Sequence, residues 1–339
     1  MKNILVTGGT GYIGSHTVLE LLENDYNVII VDNFSNSHPK VLDALETIAN
    51  KKIKLFRTDI RNKEKLEQIF KEEAIDAVIH FAGYKAVGES VFQPLKYYNN
   101  NLTGTITLLE VMEKYSVRKL VFSSSATVYG TPEKMPLIEG EPTGATNPYT
   151  RTKLMIENIL EDLSVAKDTW RLLSLRYFNP LGAHNSGDIG ENPNGIPNNL
   201  APYITQVAIG KLDKLHVFGN DYPTEDGTCI RDYVHVEDLA KGHVDALQYL
   251  ETSKKGFDIF NLGSGKGYSV FEIISSFEEV IEEKIPYEIT GRRAGDLPVT
   301  YADTTKAQND LNWKAQKNIQ EMCRDSWNWQ KKHPNGFED

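Results

Sequence analysis

Short apolar runs alternate with longer stretches of helical periodicity through the first half of this chain. Ile4 to Val6, Val28 to Val31, Ile53 to Phe56, Ala77 to Phe81 and Leu120 to Phe122 are too short for anything but buried strands. Between them, Ile13, Thr17 and Leu21, then Val41 to Ala49, Leu66 to Phe70 and Leu95 to Tyr115, carry apolar residues at helix spacing. This alternation predicts an α/β fold with a doubly wound parallel sheet to about residue 180, followed by a smaller mixed α/β domain. The expected division is 1–180 and 181–339, with the chain crossing between the two more than once.

The first strand turns into its helix through glycines. Gly9, Gly11 and Gly14 fit G-x-G-x-x-G, and Gly8, Gly11 and Gly14 fit the wider G-x-x-G-x-x-G. Free backbone N–H groups and the positive end of the helix dipole suit a pyrophosphate there, and glycine lets the backbone approach it closely. The second run ends at Asp32, where a carboxylate receives the ribose hydroxyls of a dinucleotide. Asn33 to Asn36 follow with no neighbouring Arg or Lys to hold a 2′-phosphate, which favours NAD over NADP. Strand, glycine turn, helix, strand and acid in this order make a Rossmann βαβ unit. Asp59 and Ile60, after the third strand, fall where such a fold lines its adenine pocket. His80 to Gly83 end the fourth strand in small residues that can sit against the cofactor. Lys85 reaches towards the nicotinamide-side ribose or phosphate, or is an ordinary solvated lysine; spacing alone does not separate the two.

The stretch Leu95 to Tyr115 carries Asn99, Asn100 and Asn101, three adjacent amides that form helix poorly and need something to pin them. The fifth strand runs into Ser123, Ser124 and Ser125, at the carboxyl end where open α/β sheets bind ligands, although serine-rich strand ends are also common loop chemistry. Prolines and glycines between Thr131 and Pro148 predict a loop. It delivers Tyr149 and Lys153, spaced i and i+4, to one face of the next helix. Such a pair is most often solvent-facing; downstream of a dinucleotide turn and a serine-bearing strand end it reads as catalytic.

Composition narrows the class. The chain has 339 residues, 40% hydrophobic and 25% charged, enough for two cored domains. A net charge of −10, with no basic cluster denser than Lys51-Lys52 or Lys331-Lys332, argues against nucleic acid as partner. No apolar run approaches the ~18 residues of a membrane span, and Lys2 leads straight into a strand without a signal-peptide core. A soluble, cytoplasmic protein is expected. Cys229 and Cys323 have no metal or redox spacing, so no metal is expected.

Taken together, Thr7 to Gly14, Ser123 to Gly130, Tyr149-x-x-x-Lys153 and Arg176-Tyr177-Phe178-Asn179-Pro180 resemble the extended short-chain dehydrogenase/reductase superfamily and, within it, the UDP-galactose (UDP-glucose) 4-epimerases. The likeness continues through Gly195 to Leu200, Phe218 to Thr228 and Arg231-Asp232-Tyr233, over essentially the whole chain. It implies that Tyr149 takes the proton from the sugar 4-hydroxyl while C4 gives hydride to bound NAD, and that the 4-keto sugar rotates and receives the hydride on its other face. Lys153 and the oxidised nicotinamide are the cations expected to lower the phenol's pKa. Ser125 aligns with the serine that bonds the 4-hydroxyl.

By the same resemblance, Gly8, Gly11, Tyr12, Ile13, Gly14, Asp32, Asn33, Asn36, Asp59, Ile60, Phe81, Ala82, Lys85, Asn100, Ser123 and Tyr177 join Tyr149 and Lys153 around NAD. Asn179, Asn199, Leu200, Phe218, Arg231, Arg293 and Asp296 are expected around the UDP part of a UDP-sugar, with Arg292 left as a surface charge. Thr300 stands where a tyrosine in this family blocks an N-acetyl group at sugar C2. Its small size predicts that UDP-N-acetylglucosamine and UDP-N-acetylgalactosamine are also interconverted. In this family the outer faces of the helices corresponding to those around Leu95 to Tyr115 and Tyr149 to Leu163 pair with a second copy, so the resemblance implies a homodimer. Two rivals are weighed: a nucleotide-sugar 4,6-dehydratase, which would carry Asp-Glu where Ala126 and Thr127 stand, and a catalytically silent NAD-binding regulator, which would be expected to lose Tyr149 or Lys153.

Overall fold

Residues 1–293 and 295–337 are described in the computed structural model. The strands are β1 (Asn3–Thr7), β2 (Asn27–Asp32), β3 (Lys54–Arg57), β4 (Ala77–His80), β5 (Lys119–Ser125), β6 (Arg171–Tyr177), β7 (Asn179–Leu181), β8 (Leu215–Phe218), β9 (Ile230–His235), β10 (Phe257–Leu262), β11 (Gly267–Ser269), β12 (Tyr287–Thr290) and β13 (Val299–Thr300). The helices are α1 (Tyr12–Glu23), α2 (Lys40–Ala49), α3 (Lys63–Glu72), α4 (Val87–Phe92), α5 (Pro94–Tyr97), α6 (Gly104–Lys114), α7 (Pro148–Ala166), α8 (Leu200–Ala208), α9 (Val236–Thr252), α10 (Val270–Ile281), α11 (Thr305–Leu311) and α12 (Ile319–Lys332).

Seven strands form one parallel sheet in the order β10-β6-β5-β4-β1-β2-β3. Its alternate residues serve two cores. Ile4, Val6, Ile30 and Ile79 pack under α1, α2 and α9, while Leu5, Ile29, Val31 and Val78 pack under α3, α6 and α7. Burial on both faces is why these strands read as continuous apolar runs. The order reverses between β1 and β4, so the crevice at the strand ends opens beside the glycine turn.

Two features depart from simple sequence order. The seventh strand, β10, lies far beyond residue 180 and returns after α9 to pair with β6 from Phe257 opposite Leu172 to Leu262 opposite Tyr177. The stretch Leu95 to Tyr115 is not one α-helix: α5 passes into a π-helical turn, Tyr98–Thr103, before α6. The three amides occupy that turn, and Asn101 shows what pins them. Its Oδ1 accepts from Tyr84 N at 2.9 Å, and its Nδ2 donates to Tyr84 O and to Thr152 Oγ1, each at 3.0 Å. A widened turn held by buried side chains commonly marks a functional position in a helix.

The remaining strands build a smaller mixed layer. β9 pairs in parallel with β7 and β13 and antiparallel with β11, while β8 pairs with β12. Leu181, Ile204, Val217, Ile273, Phe277 and Met322 form its core under α8, α10 and α12. Among the described residues no helix is long and apolar enough to cross a membrane.

Candidate functional site

The glycine turn is shaped by close contacts. Gly8 has φ +72°, and a Cβ on it would lie 2.8 Å from Ala82 N; a Cβ on Gly14 would lie 2.2 Å from Gly8 O. Helix α1 starts at Gly11 with no side-chain cap, so its first N–H groups face the crevice. Ile13 packs beside the core under this floor, and Tyr12 donates its hydroxyl to Gly182 O at 2.7 Å, fastening the turn to the C-terminal layer. A side chain at Gly8 or Gly14 would collide with the backbone around the turn, so only glycine lets the turn close this tightly under the uncapped helix start, an arrangement that suits a dinucleotide pyrophosphate.

Asp32, at the end of β2, is buried and tied to that floor. Its Oδ2 accepts from Thr10 N at 3.1 Å and its Oδ1 from Phe34 N at 2.9 Å and Ser37 Oγ at 3.2 Å. Beyond it, Asn33 Nδ2 donates to Asp59 Oδ2 at 3.0 Å, and Asn36 Oδ1 accepts from Asn194 at 3.3 Å. Asp59 is held down at about 2, chiefly by hydrogen bonds from the Arg61 guanidinium. Sheet pairing also sets Arg57 opposite Asp32, a basic neighbour invisible in local sequence, and its guanidinium lies 5.5 Å over the Phe34 ring. Ile60 is buried against the Gly104 backbone.

The strand ends of β4, β5 and β6 bring Phe81, Ala82, Ser123 and Tyr177 to the crevice. Tyr177 is fixed by His243 on α9. Burial lowers His243 to about 4, and its Nδ1 meets Leu239 O, an acceptor, so Nδ1 carries the proton and Nε2 receives the Tyr177 hydroxyl. The Phe81 ring rests on His243 with centroids 4.8 Å apart. Asn100 is buried, donating to Asn101 Oδ1 at 3.0 Å.

Helix α7 presents the proposed pair. Asn147 caps it by accepting from Thr150 N, and Pro148 occupies its first turn, so the helix starts immediately before Tyr149. Tyr149 and Lys153 are both buried, not solvent-facing. Lys153 Nζ donates to Ser123 O at 2.5 Å and lies 5.9 Å from the centre of the Tyr149 ring. Burial pulls Lys153 down to about 8, against the opposing charge of Glu157. Burial also raises Tyr149 above its ordinary value of 10, with a hydrogen bond from Ser125 acting the other way. In the chain alone, burial outweighs that hydrogen bond. Thr152, between the pair, accepts from Asn101 and donates to Tyr149 O at 2.7 Å.

The second cluster forms around β9. Arg231 donates to Leu297 O at 2.7 Å and sits 3.5 Å from Asp296, which Arg293 grips through both Nε and Nη2. Arg293 lies 5.6 Å over the Phe218 ring. Thr300 on β13 pairs with Arg231 on β9, and Asn179 on β7 pairs with Tyr233 on β9. Leu200 begins α8, packed against the smaller core, with Asn199 at its N-cap. Arg292 turns outward to Asp221 at 2.7 Å.

Comparison with known proteins decides the family. Residues 5–326 match the family described as GDP-mannose 4,6 dehydratase. A UDP-glucose 4-epimerase from Bacillus subtilis (strain 168) is 56% identical over 334 residues, 98% of each chain. The crystal structure of a UDP-glucose 4-epimerase from Bifidobacterium longum, in complex with NAD+ and UDP, superposes with a TM-score of 0.96 at 52% identity, covering 99% of this chain and 100% of that one. A UDP-Glc/GlcNAc 4-epimerase from Campylobacter jejuni superposes at 0.85 with 37% identity, covering 98% and 100%.

The chain belongs to the UDP-glucose 4-epimerases.

As a UDP-glucose 4-epimerase it is an isomerase, and the dehydratase family that it matches describes its shared scaffold. The dehydratase reading is not favoured: Ala126 and Thr127 offer no carboxylate, and Thr127 Oγ1 donates to Ser125 Oγ at 3.0 Å. Several residues here escaped sequence reasoning. Glu157, one turn beyond Lys153 on α7, could have been found by its i+4 spacing. His243 carries no local signal, because the fold brings it in from α9.

Proposed function

We propose that this epimerase interconverts UDP-galactose and UDP-glucose through a 4-keto sugar, with Tyr149 as the acid–base group. The observation that carries the reading is the buried Tyr149–Lys153 pair beside the Ser125 hydroxyl at the mouth of a dinucleotide floor. NAD is the cofactor; when bound, it supplies a reversible hydride acceptor and a positive charge beside the phenol. Gly8, Gly11 and Gly14 leave room for its pyrophosphate, Asp32 for the adenosine ribose, and Asp59 and Ile60 for adenine.

Because burial keeps the Tyr149 phenol protonated on its own, its deprotonation is tied to cofactor charge. Lys153, titrating near 8, is mostly cationic at neutral pH and adds to that field. The phenolate oxygen then takes the proton of the 4-hydroxyl, with Ser125 as a relay, and returns it after the keto sugar has turned its other face. Arg231 and Arg293, with Asn179, Asn199, Leu200, Phe218 and Asp296, hold the UDP part away from the reacting carbon. Residues 1–180 form the cofactor domain and 181–339 the substrate domain, apart from α9 and β10, which return to the large sheet.

Thr300 leaves the C2 side of the sugar open, which supports turnover of the N-acetylated pair as well. A homodimer belongs to the same reading, supported by an apolar face on α4, α5 and α7: Phe92 is 86% exposed and Leu95 80%, with Val91 and Met155 also exposed. The enzyme's place is the cytoplasm, which cell fractionation checks. The test of the whole reading is initial rates on UDP-galactose and UDP-N-acetylgalactosamine, side by side, without added NAD. Turnover of both is expected. Failure on UDP-galactose, with bound NAD verified, contradicts the reading.

A further inference from the structure

Glu191 lies between β7 and α8, where nothing in its local sequence marks a function, yet its carboxylate joins the two halves of the site. Its Oε1 accepts from Lys85 Nζ at 3.1 Å and from Asn199 Nδ2 at 2.6 Å. Lys85 belongs to the loop after β4, at the large sheet, and Asn199 opens α8 in the smaller layer. The carboxylate is largely shielded, with its side chain 11% exposed.

Asn199 breaks a local rule to make this contact. An asparagine at a helix N-cap ordinarily turns its side-chain oxygen back to the N–H groups of the first turn. Asn199 makes no such cap bond and instead aims its amide at Glu191. Local preferences set aside in this way point to a role outside the helix.

The arm that carries Glu191 is rigid. Trp329 Nε1 donates to Glu191 O at 3.2 Å, and the Trp329 ring packs so tightly on Gly190 that a Cβ there would lie 2.4 Å from it. The Tyr12 hydroxyl, at the start of α1, lies within the field of the same carboxylate.

We propose that Glu191 is a positioning residue that bridges Lys85 on the cofactor side and Asn199 on the nucleotide-sugar side, so that NAD retention and UDP binding strengthen each other. The inference rests on the proposed reading of those two residues. The Glu191 charge neutralises part of Lys85 and fixes the direction of its ammonium, while the shared oxygen sets the Asn199 amide. A ligand that orders one donor thereby orders the other, and the coupling is reciprocal.

The test uses the full-length enzyme with its resident NAD. Exchange of bound NAD with radiolabelled NAD is timed with and without saturating UDP, in the wild type and in Glu191→Gln. Circular dichroism and the melting temperature verify that the variant is folded, and calorimetry verifies that UDP binds. UDP is expected to slow exchange ~5-fold or more in the wild type, within the usual range of coupling between two sites, and by less than ~2-fold in the variant. Glu191→Asp, too short to hold both donors, is expected to behave like Glu191→Gln. If UDP binds both proteins and slows exchange equally, the bridge is wrong while the site reading stands. If the wild type shows no slowing, the coupling does not exist. If UDP does not bind the wild type at all, the site reading fails and the bridge with it.

Discussion

Glu157 and Arg176 meet as a bidentate ion pair inside the protein, at 3.1 Å from Nε to Oε1 and 2.7 Å from Nη2 to Oε2, with both side chains 3% exposed. Ser124 Oγ adds a third bond to Glu157 at 2.6 Å, and the guanidinium lies 4.7 Å over the Tyr129 ring. Helix α7 is thus bolted to β5 and β6 one turn below Lys153.

Breaking this pair from one side strands a buried charge. Glu157→Ala is expected to cost ~3–5 kcal/mol, whereas replacing both Glu157 and Arg176 with Met should cost much less, because neither charge is left unpaired. Urea unfolding of the two variants checks the ordering. A double variant less stable than the single one would contradict it.

Acid stability follows from buried imidazoles. His16 and His80 are lowered to about 3 and His243 to about 4, each mainly by burial. Asp245, raised to about 6 by burial, works in the opposite sense. Between about pH 5.5 and 4.5 the unfolded chain therefore binds three histidine protons that the folded chain does not, less one that Asp245 already holds. For these four groups a net uptake of about two protons makes stability fall by roughly 3 kcal/mol per pH unit as pH drops through that window. Urea unfolding at pH 5.5 and 4.5 measures the slope, and equal stability at both would refute the assignment.

The apolar face of α4, α5 and α7 predicts assembly. Leu95→Glu is expected to shift the protein from dimer to monomer in sedimentation equilibrium, because a charge would be buried in the contact. A wild-type monomer at micromolar concentration would remove the proposal.

Much of the cofactor half was legible because its signals are local. A buried strand, a glycine turn and an acid at the next strand end lie within Ile4 to Asp32, and Tyr149 and Lys153 share one helix face. What stayed hidden depends on chain returning from a distance. β10 joins the large sheet after a detour through the smaller layer, strand pairing sets Arg57 beside Asp32, and His243 and Glu191 arrive from α9 and the β7–α8 connection. The asparagine triplet signalled a poor helix, but the π-helical turn and the Asn101 clamp across Tyr84 and Thr152 emerge only when three elements pack together.

Thr300 carries the specificity prediction. In Thr300→Tyr the larger side chain should crowd the C2 side, so turnover of UDP-N-acetylgalactosamine relative to UDP-galactose is expected to fall ~10-fold or more. Initial rates on both sugars measure the ratio; an unchanged ratio would mean that Thr300 does not gate the pocket.

The central claim is that Tyr149 moves the proton at sugar C4, and Tyr149→Phe tests it most directly. The variant is purified, its bound NAD is quantified, and conversion of UDP-galactose to UDP-glucose is compared with the wild type. Loss of ~10²–10⁴-fold in turnover with NAD still bound is the predicted result. Turnover within a few-fold of the wild type would show that the proton is moved by some other group.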